Sequence, residues 1–196
     1  MTENKAPDIR KAEILEAALK HFNAGGYHNT SVEDIAAEVG ITKAGVYYYF
    51  KSKKNLFLEI FRSRVAGYLE EITALTGGAA GAEEKLRVMT ARSAELLPRH
   101  AEILKFCLEF FAQGMRDADI RKEVTLLCEK RIGAVRAIIK EGMRQGAFRR
   151  VDAESAARAV LFQSMGYFLV HFCSDIGLDA GARHKNIENL LDGLKK

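Results

Sequence analysis

The residues best suited to chemistry in this chain are lysines and tyrosines between positions 43 and 54. No acidic residue occurs between Glu38 and Glu59, whereas four lysines do: Lys43, Lys51, Lys53 and Lys54. Three consecutive tyrosines, residues 47–49, lie within this basic stretch. Lysine ammonium groups bind phosphates and guanine edges, and a small basic helix with aromatic side chains fits the DNA major groove. The segment therefore predicts a DNA-binding surface.

Two short predicted helices position these side chains. The first begins at Ser31, which has the spacing of a capping box with Asp34, and ends at Gly40. The second begins with Thr42 as its N-cap and runs to Phe50. One face of this second helix is predicted to pack inward through Val46, Tyr49 and Phe50. The opposite face presents Lys43 and Tyr47, flanked by Ala44 and Tyr48.

Several residues beside this face break local rules of helix formation. Gly45 costs about 1 kcal/mol relative to alanine within a helix, which a close approach of the backbone to a base pair would justify. Lys53 and Lys54 lie at the start of the next helix, where acidic residues are preferred. We expect a phosphate to bind at that helix start, and Thr30 or Ser31 to bind another at the preceding helix start.

The rest of the chain indicates an all-α protein. Apolar residues recur every three to four positions, and no segment alternates like a strand. We predict a helix-turn-helix domain over residues 1–51 and a helical ligand-binding and dimerisation domain over residues 52–196, with the helix 52–76 connecting the two. The net charge of +4 excludes a general polycation, and the polar N-terminus and isolated cysteines favour a reduced cytoplasmic protein.

The first 60 residues carry an extended set of motifs in one register. They are Gly26-Tyr27, Thr30-Ser31-Val32, Asp34-Ile35-Ala36, Gly40-Ile41-Thr42-Lys43, Val46-Tyr47-Tyr48-Tyr49-Phe50 and Ser52-Lys53. This set resembles the N-terminal signature of the TetR/AcrR family of bacterial repressors. The resemblance implies a homodimer that binds a palindromic operator and is released by a small molecule. It also implies DNA contacts from Thr42, Lys43, Tyr47, Tyr48 and Lys53.

The predicted ligand site lies in the C-terminal domain. Large apolar residues on the helix before Gly114 and nearby segments suit a pocket wall, and a few polar residues are placed among them. Gln163, Tyr167 and His171 share one face of a later helix, where they either line a cavity or form hydrogen bonds across a dimer. The candidates are Met89, Arg92, Phe106, Glu109, Phe110, Phe111, Met115, Cys128, Gln163, Tyr167 and His171.

The last two predicted helices favour a dimer interface. The helix over residues 152–175 is apolar on nearly every side, so one side is expected to face a second subunit. A central core helix of a monomer is the alternative. The candidate interface residues are Ala156, Val160, Gly166, Val170, Ile187, Leu190, Leu191 and Leu194.

The sequence argues against an enzyme. We find no nucleophile–base pair, no spacing of metal ligands and no phosphate-binding loop, so we predict no catalytic residue, no metal and no cofactor. The expected partners are operator DNA, a small-molecule effector and a second copy of the chain. The alternative is an effector-independent or redox-responsive DNA-binding regulator, the latter acting through Cys107, Cys128 or Cys173.

Overall fold

The computed structural model describes residues 6–95, 99–176 and 180–195, without the side chains of residues 91–95 and 180–184. Within these ranges the regular structure is helical, apart from an isolated bridge between Phe148 and Lys195. The all-α prediction is therefore confirmed. The helices are α1 (Pro7–Asn29), α2 (Val32–Glu38), α3 (Lys43–Tyr49), α4 (Lys53–Ile60), α5 (Ala66–Leu75), α6 (Ala82–Glu95), α7 (Ala101–Gly114), α8 (Ala118–Gln145), α9 (Ala153–Cys173) and α10 (Ala180–Asp192).

Side-chain caps fix the starts of the short N-terminal helices. The hydroxyl of Ser31 accepts from the backbone N–H of Asp34, and that of Thr42 accepts from Gly45. Ser52 caps α4 in the same way through the N–H of Asn55. Each cap satisfies a donor that the first turn of a helix leaves unpaired, which confirms the predicted starts of α2 and α3.

α1 does not run unbroken to Asn29. The helical path breaks at Gly26, whose φ of 74° and ψ of 172° suit glycine, and a short turn continues to Asn29. The long helix predicted over 52–76 is also divided. A π-helical segment, Phe61–Val65, separates α4 from α5. The hydroxyl of Ser63 in this segment donates to the carbonyl of Glu59 in α4.

The chain forms two compact units, each assembled from two parts of the sequence. Unit 1 contains residues 1–68 and 100–120, and unit 2 contains residues 69–99 and 121–196. The helix-turn-helix segment therefore shares its unit with α4 and α7. Consequently these packing units do not coincide with the functional domains predicted at residues 1–51 and 52–196.

Unit 2 has its own apolar core, built by α6, the C-terminal half of α8, α9 and α10. Its fully buried side chains include Leu86, Ile139, Phe148 and Leu191. Ion pairs lie at the edge of this core, among them Lys85 with Glu141 at 2.9 Å and Arg87 with Glu188 at 2.9 Å. In the part of the chain that the structure describes, we find no helix with the length and apolar character of a membrane span.

A close approach in unit 2 gives a test of this core. The carbonyl of Gly142 accepts from the N–H groups of Ala147 and Phe148, which places the buried Phe148 ring directly against Gly142. A methyl group at Gly142 would overlap that ring. We therefore expect Gly142→Ala to lower the free energy of unfolding by about 1–3 kcal/mol, the usual cost of overpacking, in urea denaturation.

Gly133→Ala is the matched control for this substitution, because it also replaces a glycine within α8. A methyl group there has its nearest neighbour at 3.9 Å, on the Arg136 side chain. Removing a helical glycine should leave stability unchanged or raise it by up to about 1 kcal/mol. Equal effects of the two substitutions would contradict the packing described at Phe148.

Candidate nucleic-acid interface

The N-terminal segment presents one polar face of α3 to the surface. Val46 and Phe50 are buried on the inner side, and α2 contributes Val32 and Ile35 to the same core. On the outer side Thr42, Lys43, Ala44 and Tyr47 are exposed, as is Tyr48, with 83% of its surface accessible. The inward and outward faces of α3 match the predicted division, except that Tyr49 is only partly buried.

Lys43 and Tyr47 form part of a continuous row of contacts on that face. The Lys43 ammonium lies 5.9 Å from the centre of the Tyr47 ring and 2.6 Å from a carboxylate oxygen of Glu33 on α2. The hydrogen bond from Lys43 lowers the pKa of Glu33, and the same bond raises the pKa of Lys43. Both groups are therefore charged at neutral pH. Glu33 was not among the predicted DNA-binding residues, because nothing in its local spacing indicates a contact ten residues away.

Gly45 and Ser31 lie at the starts of the two helices. A methyl group at Gly45 would lie 3.5 Å from the side chains of Ile41 and Thr42, an ordinary contact. The fold of the free chain therefore does not require glycine at this position. The Ser31 hydroxyl is partly exposed and already engaged, since it accepts from Asp34 N–H and donates to the Asp34 carboxylate at 2.6 Å.

Thr30 does not display its hydroxyl as we predicted. Its side chain is buried, with 5% of the residue exposed. The hydroxyl donates to the carbonyls of His21 at 3.0 Å and Gly26 at 2.8 Å, both in α1. Thr30 thus joins the end of α1 to the start of α2. This placement corrects its assignment as a phosphate ligand.

The two lysines at the start of α4 have partners within the chain. The Lys53 ammonium donates to the carbonyls of His28 and Thr30 and lies 4.7 Å from the centre of the Tyr27 ring. Its partial burial lowers the pKa of Lys53. The carbonyls at the end of α1 account for a cation at this position without a phosphate, so the DNA contact of Lys53 stays a prediction.

Lys54 faces the segment that joins α7 to α8. Its ammonium lies 2.8 Å from a carboxylate oxygen of Asp117 and 2.5 Å from one of Asp119. The hydrogen bonds that Lys54 donates to these two carboxylates raise the pKa of Lys54. The departure from the usual charge preference at this helix start therefore serves contacts within unit 1, which corrects our expectation of a phosphate bound by Lys54.

α7 is attached to the helix-turn-helix segment by a cluster of aromatic rings. Phe106 and Phe110 of α7 are fully buried. They pack against Phe57 of α4, at ring-centre distances of 4.7 and 5.1 Å, and Phe57 in turn packs against Phe22 of α1. These two α7 residues were predicted to line a ligand pocket. In the structure their rings pack against other aromatic rings in the core of unit 1, and their contact with a ligand stays a prediction.

Glu109 supplies a polar attachment beside this cluster. Its Oε1 atom accepts from the backbone N–H of Tyr27 at 3.0 Å and from the Gln113 side chain at 2.9 Å. The N–H of Tyr27 follows the break at Gly26, so helical hydrogen bonding leaves it available. Glu109 therefore holds the end of α1, and its contact with a ligand stays a prediction.

The other predicted ligand residues have varied placements. Met89 and Cys128 pack at the edge of the unit 2 core, and Gln163 donates to the carbonyl of Asn186 at 3.3 Å. Phe111 and Tyr167 are partly buried, Met115 and His171 are exposed, and the Arg92 side chain lies outside the described residues. Of the three cysteines, Cys107 is buried, Cys128 is partly buried and Cys173 is exposed. Burial raises the pKa of the Cys128 thiol.

The predicted interface residues fall mainly in the core of unit 2. Val160, Ile187, Leu191 and Leu194 are buried there, while Ala156 and Leu190 pack against them. Val170 is partly buried and Gly166 is exposed. Side chains already covered within one chain have little surface left to bury in a dimer. Four of the eight predicted positions are therefore better explained as core.

Together, the capped α2 and α3 and the exposed basic and aromatic face define a helix-turn-helix DNA-binding regulator. Residues 14–60 match the model of the tetR family of bacterial regulatory proteins. The HTH-type transcriptional repressor NicS of Pseudomonas putida is 29% identical over 143 residues, covering 72% of this chain and 67% of that protein.

Two solved structures share the fold over almost the whole chain. A transcriptional regulator from Saccharomonospora viridis in complex with choline has a TM-score of 0.83 at 23% identity, covering 96% of this chain and 99% of that one. FadR from Bacillus subtilis in complex with stearoyl-CoA has a TM-score of 0.78 at 21% identity, covering 92% and 96%. Residues 14–60 thus match the TetR family model, and the chain as a whole is similar to transcriptional regulators. The chain is a DNA-binding transcriptional regulator and not an enzyme.

Tyr47 and Thr30 should separate DNA binding from folding. We expect Tyr47→Ala to weaken DNA binding by roughly tenfold, equivalent to about 1.4 kcal/mol, with little change in thermal stability because the side chain is exposed.

We expect Thr30→Val to lower the free energy of unfolding by about 1 kcal/mol, since it removes a buried donor. Fluorescence anisotropy with a DNA duplex measures binding, and urea denaturation measures stability. Loss of stability in Tyr47→Ala together with loss of DNA binding in Thr30→Val would contradict both assignments.

Glu109 can be tested without knowledge of any ligand. Glu109→Leu leaves the N–H of Tyr27 without its acceptor and should lower the free energy of unfolding by about 1–3 kcal/mol. Glu109→Gln keeps a carbonyl oxygen at the same place and should retain most of that stability. Equal losses for both variants in urea denaturation would show that the charge, and not the acceptor, is what α1 requires.

Proposed function

We propose that the chain is a repressor that binds a palindromic operator as a homodimer and is released by a small molecule bound in its C-terminal region. The observation that carries the proposal is the exposed face of α3, where Thr42, Lys43, Tyr47 and Tyr48 are displayed on a capped helix. One such helix offers few base contacts, so two copies reading two half-sites are expected. A cytoplasmic location accords with this role.

An exposed apolar stripe on α9 supports the homodimer. Phe162 and Leu169 have 62% and 52% of their surfaces accessible, and Gly166 and Cys173 continue the same line at spacings of three or four residues. The other side of α9 supplies Ala157 and Val160 to the core. Exposed leucine and phenylalanine in one line are typical of a protein-binding surface. We therefore place the dimer interface on this stripe, where it retains Gly166 from the sequence prediction.

The effector is proposed by analogy with the structural neighbours. One of them holds choline and another holds stearoyl-CoA, so the same fold accommodates very different ligands. Both compounds are practical first probes for this chain. Because α7 is tied to α1 and α4 by its aromatic rings and by Glu109, a ligand that displaced α7 would also disturb the helix-turn-helix segment.

Selection of bound sequences from random DNA duplexes tests the proposal directly. The purified protein without ligand should enrich a site with two-fold symmetry, and addition of the correct effector should lower the affinity for that site. Choline and stearoyl-CoA are added separately in gel-shift titrations. Enrichment of a single unrepeated half-site would contradict the dimer, and enrichment of no site would contradict the repressor.

The dimer interface is tested by placing a charge on the stripe. Phe162→Glu should convert the dimer to a monomer, because an unpaired carboxylate would be buried against the second subunit at a cost of several kcal/mol. Leu126→Glu is the matched control, since Leu126 is also more than half exposed but lies on α8. Size-exclusion chromatography with light scattering measures the masses. A dimer that survives Phe162→Glu would move the interface elsewhere.

A further inference from the structure

Glu33 is an acidic residue on the surface that we propose for DNA. It lies in the first turn of α2, its side chain is 57% exposed, and its carboxylate meets the Lys43 ammonium of α3 at 2.6 Å. The centre of the Tyr47 ring lies 5.9 Å from that ammonium. An acid in the first turn of a helix is favoured by the helix dipole, and an exposed ion pair adds little to stability. What distinguishes Glu33 is therefore its contact with a lysine of the DNA-facing helix.

A carboxylate at a DNA-facing surface has a cost. It repels phosphates, and it occupies the ammonium group that would otherwise neutralise one. Its presence therefore weakens binding to DNA of any sequence. The lost affinity is recovered where the same carboxylate accepts a hydrogen bond from a particular base pair.

The major groove offers a donor that would recover it. A G·C pair presents the guanine N7 and O6 acceptors beside the cytosine N4 donor, and the O6 and N4 atoms of the pair are about 2.9 Å apart, a normal hydrogen-bond length. The Lys43 and Glu33 charges are 2.6 Å apart and have the opposite pattern of donor and acceptor. In an A·T pair the adenine N6 donor and the thymine O4 acceptor reverse this pattern, so both charges meet the wrong group. In a T·A pair the thymine O4 atom and methyl group replace the two guanine acceptors, so the ammonium loses one acceptor.

We propose that Glu33 and Lys43 together read one G·C base pair in each half-site, with Lys43 donating to guanine and Glu33 accepting from the cytosine amino group. This inference rests on the proposed function, since it requires that the exposed face of α3 enters the major groove. Glu33 is then a specificity-determining residue. It lowers affinity for unrelated DNA and raises the preference for one base pair.

The test compares selected sites and affinities of the full-length wild type and Glu33→Gln. The wild type should prefer G·C at one position of each half-site by roughly 5- to 150-fold over A·T, the range of a good base contact. In Glu33→Gln that preference should shrink at this position alone, while binding to an unrelated duplex becomes tighter. Lys43→Gln should lose preference at the same position, and the double variant should lose little more than either single variant.

Glu38→Gln is the matched control. It removes the same charge from the same helix, but Glu38 pairs with Lys20 and His21 of α1 and not with α3. It should therefore keep the base preference at every position. Thermal unfolding of each variant confirms that the fold is retained, and Glu33→Asp should restore part of the preference.

Two results would overturn the inference, and they are distinguishable. If the wild type enriches a symmetric site but Glu33→Gln shows the same preference at every position, Glu33 does not read a base and the proposed function stands. If the wild type enriches no duplex, the proposed function fails and this inference fails with it.

Discussion

The packing of α7 against the helix-turn-helix segment is the constraint on which the rest of unit 1 depends. Phe106 and Phe110 fill the space between α1 and α4, and Phe61 stacks on Phe110 with its ring parallel. A helix of seven residues such as α2 or α3 is too short to be stable by itself. These helices persist because apolar side chains bury their inner faces, and the aromatic cluster holds α1 and α4 in position behind them.

Polar contacts around this cluster give the packing a defined register. Glu109 accepts the N–H that the break at Gly26 leaves available, Lys54 bonds Asp117 and Asp119, and Asn23 donates to Glu102. Burying rings alone would allow α7 to slide, because apolar attraction has little directional preference. Hydrogen bonds at several points along α7 select one arrangement.

The charges at the starts of α2 and α4 also show why local sequence rules have limits. Lys53 and Lys54 break the charge preference of a helix start, and from sequence a bound phosphate is a reasonable explanation. The structure instead gives each lysine intramolecular acceptors: carbonyls at the end of α1 for Lys53, and two aspartates after α7 for Lys54. Glu33 shows the converse case. Its surroundings in sequence are unremarkable for a helix start, yet folding places it against Lys43.

The sequence by itself determined the helical class, the caps at Ser31 and Thr42, and the outward face of α3 with Lys43, Tyr47 and Tyr48. These features follow from the spacing of residues close together in sequence, so they do not depend on tertiary contacts. Tertiary structure decided what the longer-range residues do. In sequence, Phe106, Phe110 and Glu109 are typical of a ligand pocket. In the structure Phe106 packs against Phe22 and Phe57, and Glu109 accepts a hydrogen bond from the N–H of Tyr27. Only the folded chain specifies such partners, because they come from residues about fifty or more positions away.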